Sequence, residues 1–207
     1  MKLDKEEKNK LTQYIKNLIK TNKYRHRQNS IYFEIGEYFC VCDYVLTPEQ
    51  FVYQMLIKKY EYDDILWEIM DMSDNIKQPI SLRAVGAFAI YGVMIESGQI
   101  SYNSNYYTKI EELLNNLENV FCEYIKNNDL YNVIINATGG YQINELKCLA
   151  FIANGEVDRA VEVAKMNIAN GKDACFENEG KDFYVRLIKK YSPKRRIPKI
   201  NFLKKRK

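Results

Sequence analysis

YFCVCDYVL, residues 38–46, is rich in aromatic and β-branched side chains and fits either of two secondary structures. The apolar positions of this segment and of the residues just before it recur at helical spacing: Ile31, Ile35, Tyr38, Phe39, Cys42, Val45 and Leu46. Its aromatic and β-branched content is instead typical of a strand. We favour a helix that Asn29 or Ser30 caps, and a strand over 31–46 remains the alternative.

The segments that follow also carry helix signals. The motif TPEQ at 47–50 matches a capping box, with Thr at the N-cap, Pro at the first helical position and Gln three residues after the cap. It predicts a helix over 47–60. Ser81 then caps a second segment, 82–97, which is apolar, rich in Gly and Ala and nearly free of charge. We expect this segment to be a central, buried helix.

Helical periodicity continues through most of the remaining chain. The predicted helices cover 4–23, 105–127, 130–137, 142–153, 156–170 and 180–191. Together these patterns predict an all-α protein of about seven to nine helices packed as antiparallel hairpins. The helices would form either a solenoid-like array or an irregular bundle. We expect one helical domain over 1–191 and a basic, flexible tail over 192–207.

The predicted helix pair at 142–170 resembles a tetratricopeptide-type hairpin. Gly155, Glu156, Ala160 and Ala164 follow the turn and second helix of that repeat, and Phe151 holds an apolar position on the first helix. The resemblance implies a helical-hairpin array that binds protein, and it transfers no catalytic residues.

Composition indicates where the chain acts. The N-terminus MKLDKEEKNK mixes acids with lysines and lacks the apolar core of a secretory signal. The most apolar run, 84–95, is shorter than the roughly 20 residues that cross a bilayer. Five cysteines without a framework spacing indicate reduced thiols. We therefore expect a cytoplasmic protein without a transmembrane segment.

Motifs for catalysis and cofactor binding are missing from the sequence. His26 is the only histidine, so the sequence offers few residues from which a catalytic triad or a histidine-based metal cluster could form. There is no phosphate-binding glycine loop. The segment DMSDN begins like a calcium loop, but Ile76 and Leu82 stand where that loop needs Gly and Glu. We expect no cofactor, no metal and no enzymatic activity.

EYDDILWEIMDMSDN, residues 61–75, combines six carboxylates with the only tryptophan of the chain. On a helical wheel the acids occupy one half, and the tryptophan lies among them. We expect this half to bind a partner through these residues: Trp67, Glu61, Asp63, Asp64, Glu68, Asp71 and Asp74. The alternative is a solvated acidic face in which another helix covers Trp67. An ion pair from Arg83 would likewise make part of this face structural.

Charge is distributed unevenly. Residues 1–27 carry a net charge of +6, residues 28–191 carry −10 and residues 192–207 carry +8. An acidic body of this kind suits a basic protein partner. In general character the chain is similar to bacterial toxin-neutralising immunity proteins, so we expect a non-enzymatic interaction protein whose partner is a basic protein such as a toxin.

Nucleic-acid binding through the basic ends is the alternative function. The tail SPKRRIPKINFLKKRK holds eight basic residues and no acid, and such a tail contacts phosphate through charge. The residues that would bind nucleic acid are Lys194, Arg195, Arg196, Lys199, Lys204, Lys205, Arg206 and Lys207.

Overall fold

A computed structural model describes residues 2–192 of the chain and shows a mixed α/β fold. The all-α prediction is wrong, because five strands form one antiparallel sheet in the first half of the chain. The strands are β1 (Arg25–Arg27), β2 (Ser30–Ile35), β3 (Tyr38–Leu46), β4 (Gln50–Lys59) and β5 (Val93–Ser101). Their order in the sheet follows their order in the sequence.

Helices precede the sheet, interrupt it between β4 and β5, and form the second half of the described chain. The α-helices are α1 (Lys5–Thr21), α2 (Glu61–Ile69), α3 (Leu82–Val85), α4 (Tyr106–Asn115), α5 (Leu117–Asn127), α6 (Leu130–Asn136), α7 (Ile143–Ala153), α8 (Val157–Ala169) and α9 (Phe183–Tyr191). A 3-10 helix, Ser73–Lys77, follows α2, and a short hairpin of β6 (Glu177–Asn178) and β7 (Lys181–Asp182) precedes α9.

The predicted helix over 31–46 is wrong, because the segment forms strands, as in the alternative, and it forms two of them, β2 and β3. Gly36, at φ +58°, forms the turn between β2 and β3. A left-handed residue at this point lets the chain reverse tightly, and Gly adopts it without strain. The apolar residues of 38–46 then alternate between the two faces of the sheet, and both faces are buried in the first half of the segment. When both faces of a strand are apolar, its apolar positions also fit helical spacing.

The predicted helix over 47–60 is also wrong, although its start signal has a real counterpart. The Thr47 hydroxyl accepts hydrogen bonds from the amides of Glu49 and Gln50, as an N-cap would. It also donates to the Gln50 carbonyl at 2.8 Å, and the Thr47 amide bonds the same oxygen at 3.0 Å. These contacts close the β3–β4 hairpin, so the motif caps a turn and β4 follows it.

The expected buried helix over 82–97 is a single helical turn, α3, followed by an extended segment and β5. Gly92 explains part of the difference. A Cβ atom at Gly92 would lie 2.5 Å from the Ile57 carbonyl oxygen, so the chain enters β5 in close contact with the β4 backbone. Pairing with β4 outweighs the helical propensity of the alanines in this segment.

The helical predictions for the rest of the chain agree in position with the structure. The expected helix at 105–127 is divided at Asn116 into α4 and α5, and α7 and α8 form the predicted hairpin around Gly155. Among residues 2–192, no helix is both long enough and apolar enough to span a bilayer. The predicted basic tail, from residue 193 onward, lies outside the described residues.

The main hydrophobic core lies between one face of the sheet and the helices. Cys40 and Cys42 of β3 point into it, and Phe33 of β2 meets Phe121 of α5 edge to face at 5.5 Å between ring centroids. The Tyr14 hydroxyl of α1 donates to Glu111 of α4 at 2.6 Å, which fixes these two helices to each other.

The other side of the sheet, here called the open face, carries Phe39, Val41, Asp43 and Val45 of β3. Residues 80–92, here called the covering segment, pack on the first part of this face over Phe39 and Val41. Beyond Asp43 the face meets solvent, and Val45 is 54% exposed.

Candidate partner-binding face

The structure places Trp67 in the interior. Its side chain is 1% exposed, and its indole N–H donates to the carbonyl oxygen of Phe88 in the covering segment at 2.5 Å. The Arg83 guanidinium lies 4.7 Å from the Trp67 ring and 3.6 Å from the Tyr60 ring. Docking a partner on Trp67 would require the covering segment to leave, so the structure favours the alternative in which Trp67 is covered.

Asp63 of the acidic stretch is also buried, inside an ion cluster made of Lys58, Asp63, Asp64 and Arg83. The Lys58 ammonium lies 2.7 Å from one Asp63 oxygen and donates to the other at 2.9 Å. Arg83 pairs with Asp64 at 2.5 Å and lies 3.7 Å from Asp63. The two positive and two negative charges balance, so the cluster is neutral as a whole.

Backbone groups of the covering segment complete this cluster. Lys58 donates to the carbonyl oxygens of Arg83 and Ile90 at 2.9 and 2.8 Å, and the Ile90 amide donates to Asp63 at 2.9 Å. All three ammonium protons of Lys58 are therefore used. Burial lowers the pKa of Lys58 and raises the pKa of Asp63, and the contact between their opposite charges opposes both shifts. The cluster fixes the covering segment to β4 and α2.

The remaining acids of the predicted partner-binding stripe are divided between internal pairs and solvent. Glu68 pairs with Lys190 of α9 at 3.2 Å, and Asp71 pairs with Arg186 of α9, whose guanidinium is buried. Glu61 and Asp74 are exposed and form no ion pair with the other described residues. The stripe therefore joins α2 to its neighbours more than it presents a surface.

A cleft of about 270 Å³ remains between the covering segment and the open face. Apolar side chains of the two central strands, Val41 and Leu56, contribute to its lining together with Asp43. Lys58, residues 83–87 and 89–92 of the covering segment, and Tyr141 and Gln142 also line it. Sequence reasoning did not select any of these residues as a site.

Asp43 is the carboxylate of this cleft, and it is half-buried. It accepts a hydrogen bond from the Ser30 hydroxyl at 2.5 Å, and the Gln54 amide lies beside it. Burial raises the pKa of Asp43, and the two neutral neighbours and the charge of Lys58 oppose that shift only partly. Among residues 2–192, no cationic group lies within ion-pair distance of this carboxylate.

Two tyrosines border the cleft. The rings of Tyr91 and Tyr141 pack edge to face with centroids 5.5 Å apart, and Tyr141 is 66% exposed. The Tyr91 amide donates to the Gln142 side-chain oxygen at 2.7 Å, which ties the covering segment to the start of α7. Gln142 itself has a left-handed backbone, φ 55°, two residues after Gly140.

The open face continues past Asp43 into a second depression of about 480 Å³. Val45 and Met94 line it and are more than half exposed, while Val52 and Gln99 complete the floor. Apolar side chains that stand together on an exposed sheet face are a common feature of protein-binding surfaces. Asp43 lines both depressions.

Comparison of the chain with protein-family models, with curated proteins and with solved structures found no significant match. The resemblance of α7 and α8 to a tetratricopeptide unit and the similarity to immunity proteins therefore remain predictions. The site stands on its geometry alone.

The other sequence-based site predictions have no counterpart on this surface. The eight basic tail residues predicted to bind nucleic acid lie outside the described residues. Within 2–192, no group of three or more His, Cys, Asp or Glu side chains is arranged to hold a metal ion. His26 lies on β1 and its ring nitrogen is 3.0 Å from the Tyr44 hydroxyl.

The sequence of residues 38–46 would have indicated this site if the segment had been interpreted as a strand. In a strand, Phe39, Val41, Asp43 and Val45 share one face, and Asp43 is the only polar residue among them. A carboxylate on an otherwise apolar strand face indicates either a functional site or an ion pair inside the protein. Tyr141 and Gln142 carry no comparable signal, because only the fold brings the loop before α7 to the cleft.

Proposed function

We propose that this chain is a non-enzymatic interaction protein that binds a basic protein partner through the open face around Asp43. A toxin-neutralising immunity protein is the specific form of this proposal, and the cytosol is its expected location. The proposal keeps the class of partner that the sequence indicates and moves the binding surface from the α2 stripe to the sheet.

The environment of the Asp43 carboxylate carries the proposal. Asp43 is a half-buried carboxylate with neutral neighbours and no ion pair among the described residues, and it lines both depressions. A carboxylate that is partly desolvated without a cation costs free energy in the isolated protein. A cationic group from a partner would recover that cost on binding.

The surroundings of Asp43 support a protein partner. Val45, Met94 and Tyr141 are large apolar side chains on the same side of the sheet, each more than half exposed. Interfaces of protein complexes combine such apolar contacts with a few oriented polar groups. The net charge of −10 over residues 28–191 favours association with a basic protein and makes the association rate depend on salt.

A pull-down from nuclease-treated lysate tests the proposal. The wild-type chain is compared with Asp43→Asn and with Asp74→Asn, which removes one exposed carboxylate of the α2 stripe. We expect a basic protein that the wild type and Asp74→Asn retain and that Asp43→Asn loses. Equal retention by all three proteins would move the binding surface away from Asp43, and loss only with Asp74→Asn would return it to the α2 stripe.

Nucleic-acid binding is a second candidate, and one observation favours it. All five lysines of α1 are exposed, and one of them, Lys10, pairs with Glu6 of the same helix, so the helix presents positive charge to solvent. Phosphate contacts of this kind give affinity that falls steeply with salt. In this candidate function the basic tail acts together with α1, so deletion of 192–207 should reduce retention on nucleic acid and flatten its salt dependence. Retention that is unchanged by the deletion would exclude the tail from this function.

A further inference from the structure

The cleft beside Asp43 has the composition of a pocket for one cationic side chain. Two cations, Lys58 and Arg83, also line the cleft, but Asp63 and Asp64 balance their charges within the ion cluster. Among residues 2–192, Asp43 is therefore the charge of the cleft lining that no ion pair balances. Lys58 has no free proton left to hold an anion, since Asp63 and two carbonyl oxygens take all three.

The walls of the cleft suit a side chain that is long, flat at its end and apolar along its stem. Val41 and Leu56 offer apolar surface for methylene groups, and the exposed ring of Tyr141 offers a face for a planar cation. The Gln142 side chain also lines the cleft, and its oxygen accepts from the Tyr91 amide. Arginine ends in a planar guanidinium, which pairs with carboxylates, stacks on aromatic rings and donates to several acceptors at once. Lysine lacks the planar group.

We propose that this cleft is a recognition pocket for an arginine side chain of the partner, with Asp43 as its counter-ion and Tyr141 as its stacking surface. The inference rests on the proposed function, because it names the group of the basic partner that the open face receives. The guanidinium would complete the charge balance that the described residues leave open.

A titration with small probes tests the pocket without the partner. The full chain, labelled with ¹⁵N, is titrated with N-acetyl-arginine amide and, separately, with N-acetyl-citrulline amide, which keeps the shape and removes the charge. Arginine should shift the backbone amides that line the cleft, among them Tyr91, Gly92 and Gln142. Citrulline should leave them in place. Equal shifts with both probes, or no cleft shift up to the solubility limit of the arginine probe, would overturn the pocket.

Variants assign the binding to its two main groups. Asp43→Asn should weaken arginine binding about tenfold or more, because a charge-assisted hydrogen bond is lost. Tyr141→Ala tests the stacking surface at an exposed position, where folding is not at risk, and should also weaken binding. Asp74→Asn removes the same charge outside the cleft and should bind like wild type. The amide spectrum away from the cleft verifies the fold of each variant, and wild-type affinity in both Asp43→Asn and Tyr141→Ala would overturn the assignment.

The two proposals fail in different experiments. If a basic protein is captured in an Asp43-dependent way while the arginine probe leaves the cleft unshifted, the partner stands and the arginine pocket is wrong. If the probe shifts the cleft while no basic protein is captured, the pocket stands and the proposed protein partner is wrong.

Discussion

Replacing Lys58 by Met should destabilise the protein strongly. The change removes the cation 2.7 Å from Asp63, whose side chain is 0% exposed, and leaves that carboxylate with the Ile90 amide and a guanidinium 3.7 Å away. It also removes the donor to the carbonyl oxygens of Arg83 and Ile90. Removing one partner of a buried pair costs about 3–5 kcal/mol. That is a large share of the roughly 5–15 kcal/mol that stabilises a typical domain.

Urea unfolding followed by tryptophan fluorescence measures this cost. Trp67 is the only tryptophan and is hydrogen-bonded to the covering segment, so its emission reports the region that Lys58 fixes. Far-UV circular dichroism, followed in parallel, verifies that the two probes unfold together. Lys77→Met changes an exposed lysine in the same way and should stay within about 0.5 kcal/mol of wild type.

A second substitution separates lost charge balance from lost packing. Adding Asp63→Leu to Lys58→Met removes the unpaired carboxylate, so the double variant should be more stable than Lys58→Met alone, by about 1 kcal/mol or more. Recovery stays incomplete because backbone groups of Arg83 and Ile90 still lack their partners. A Lys58→Met protein within about 1 kcal/mol of wild type would refute the structural role of the cluster.

Three further predictions concern single residues. Trp67 should emit at short wavelength and resist quenching by acrylamide, because its side chain is 1% exposed; emission like that of free tryptophan would place it at the surface. Burial raises the pKa of Asp43, so the native state binds its proton more tightly than the unfolded chain does, and stability falls as pH rises through the native pKa. Asp43→Asn should therefore raise the free energy of unfolding at neutral pH, and the gain should vanish below about pH 4; a gain that persists in acid would contradict this. Gly92→Ala should lower the urea midpoint, because the new Cβ meets the Ile57 carbonyl oxygen at 2.5 Å, while Gly139→Ala, with nothing within 4 Å, should not; equal effects of the two changes would refute the close approach.

The helices in the second half of the chain were accessible to sequence reasoning. Their apolar residues recur at one period over two turns or more, and Gly155 at φ +79° marks the turn between α7 and α8 as the pattern indicated. The division at Asn116 was not accessible, because the apolar period continues across it and the break lies in the backbone alone.

The sheet was missed because short apolar segments fit two periods. Residues 31–46 satisfy helical spacing, yet Gly36 separates two runs of strand-forming residues and gives the turn that a hairpin needs. The Thr47 motif makes the same local hydrogen bonds in a hairpin turn as at a helix start. Only the pairing of each strand with its neighbours in the sheet distinguishes these outcomes, and the periodicity of a single segment does not contain that information.

The site depends on the same missing information. The acids around Trp67 formed a visible pattern, but their partners Lys58, Arg83 and Arg186 come from three other parts of the chain. Asp43 becomes conspicuous only once residues 38–46 are a strand. Sequence composition therefore indicated a class of partner, while the location of the surface required the fold.

Photo-cross-linking on the open face tests the central proposal most directly. A photoreactive amino acid is placed at Gln99, an exposed position that lines the second depression, and in a separate protein at Lys165, an exposed position on α8. In nuclease-treated lysate we expect one basic protein to cross-link from position 99 and not from position 165, and we expect Asp43→Asn to abolish that cross-link. Cross-linking from position 165 alone, or from position 99 regardless of Asp43, would contradict the proposal.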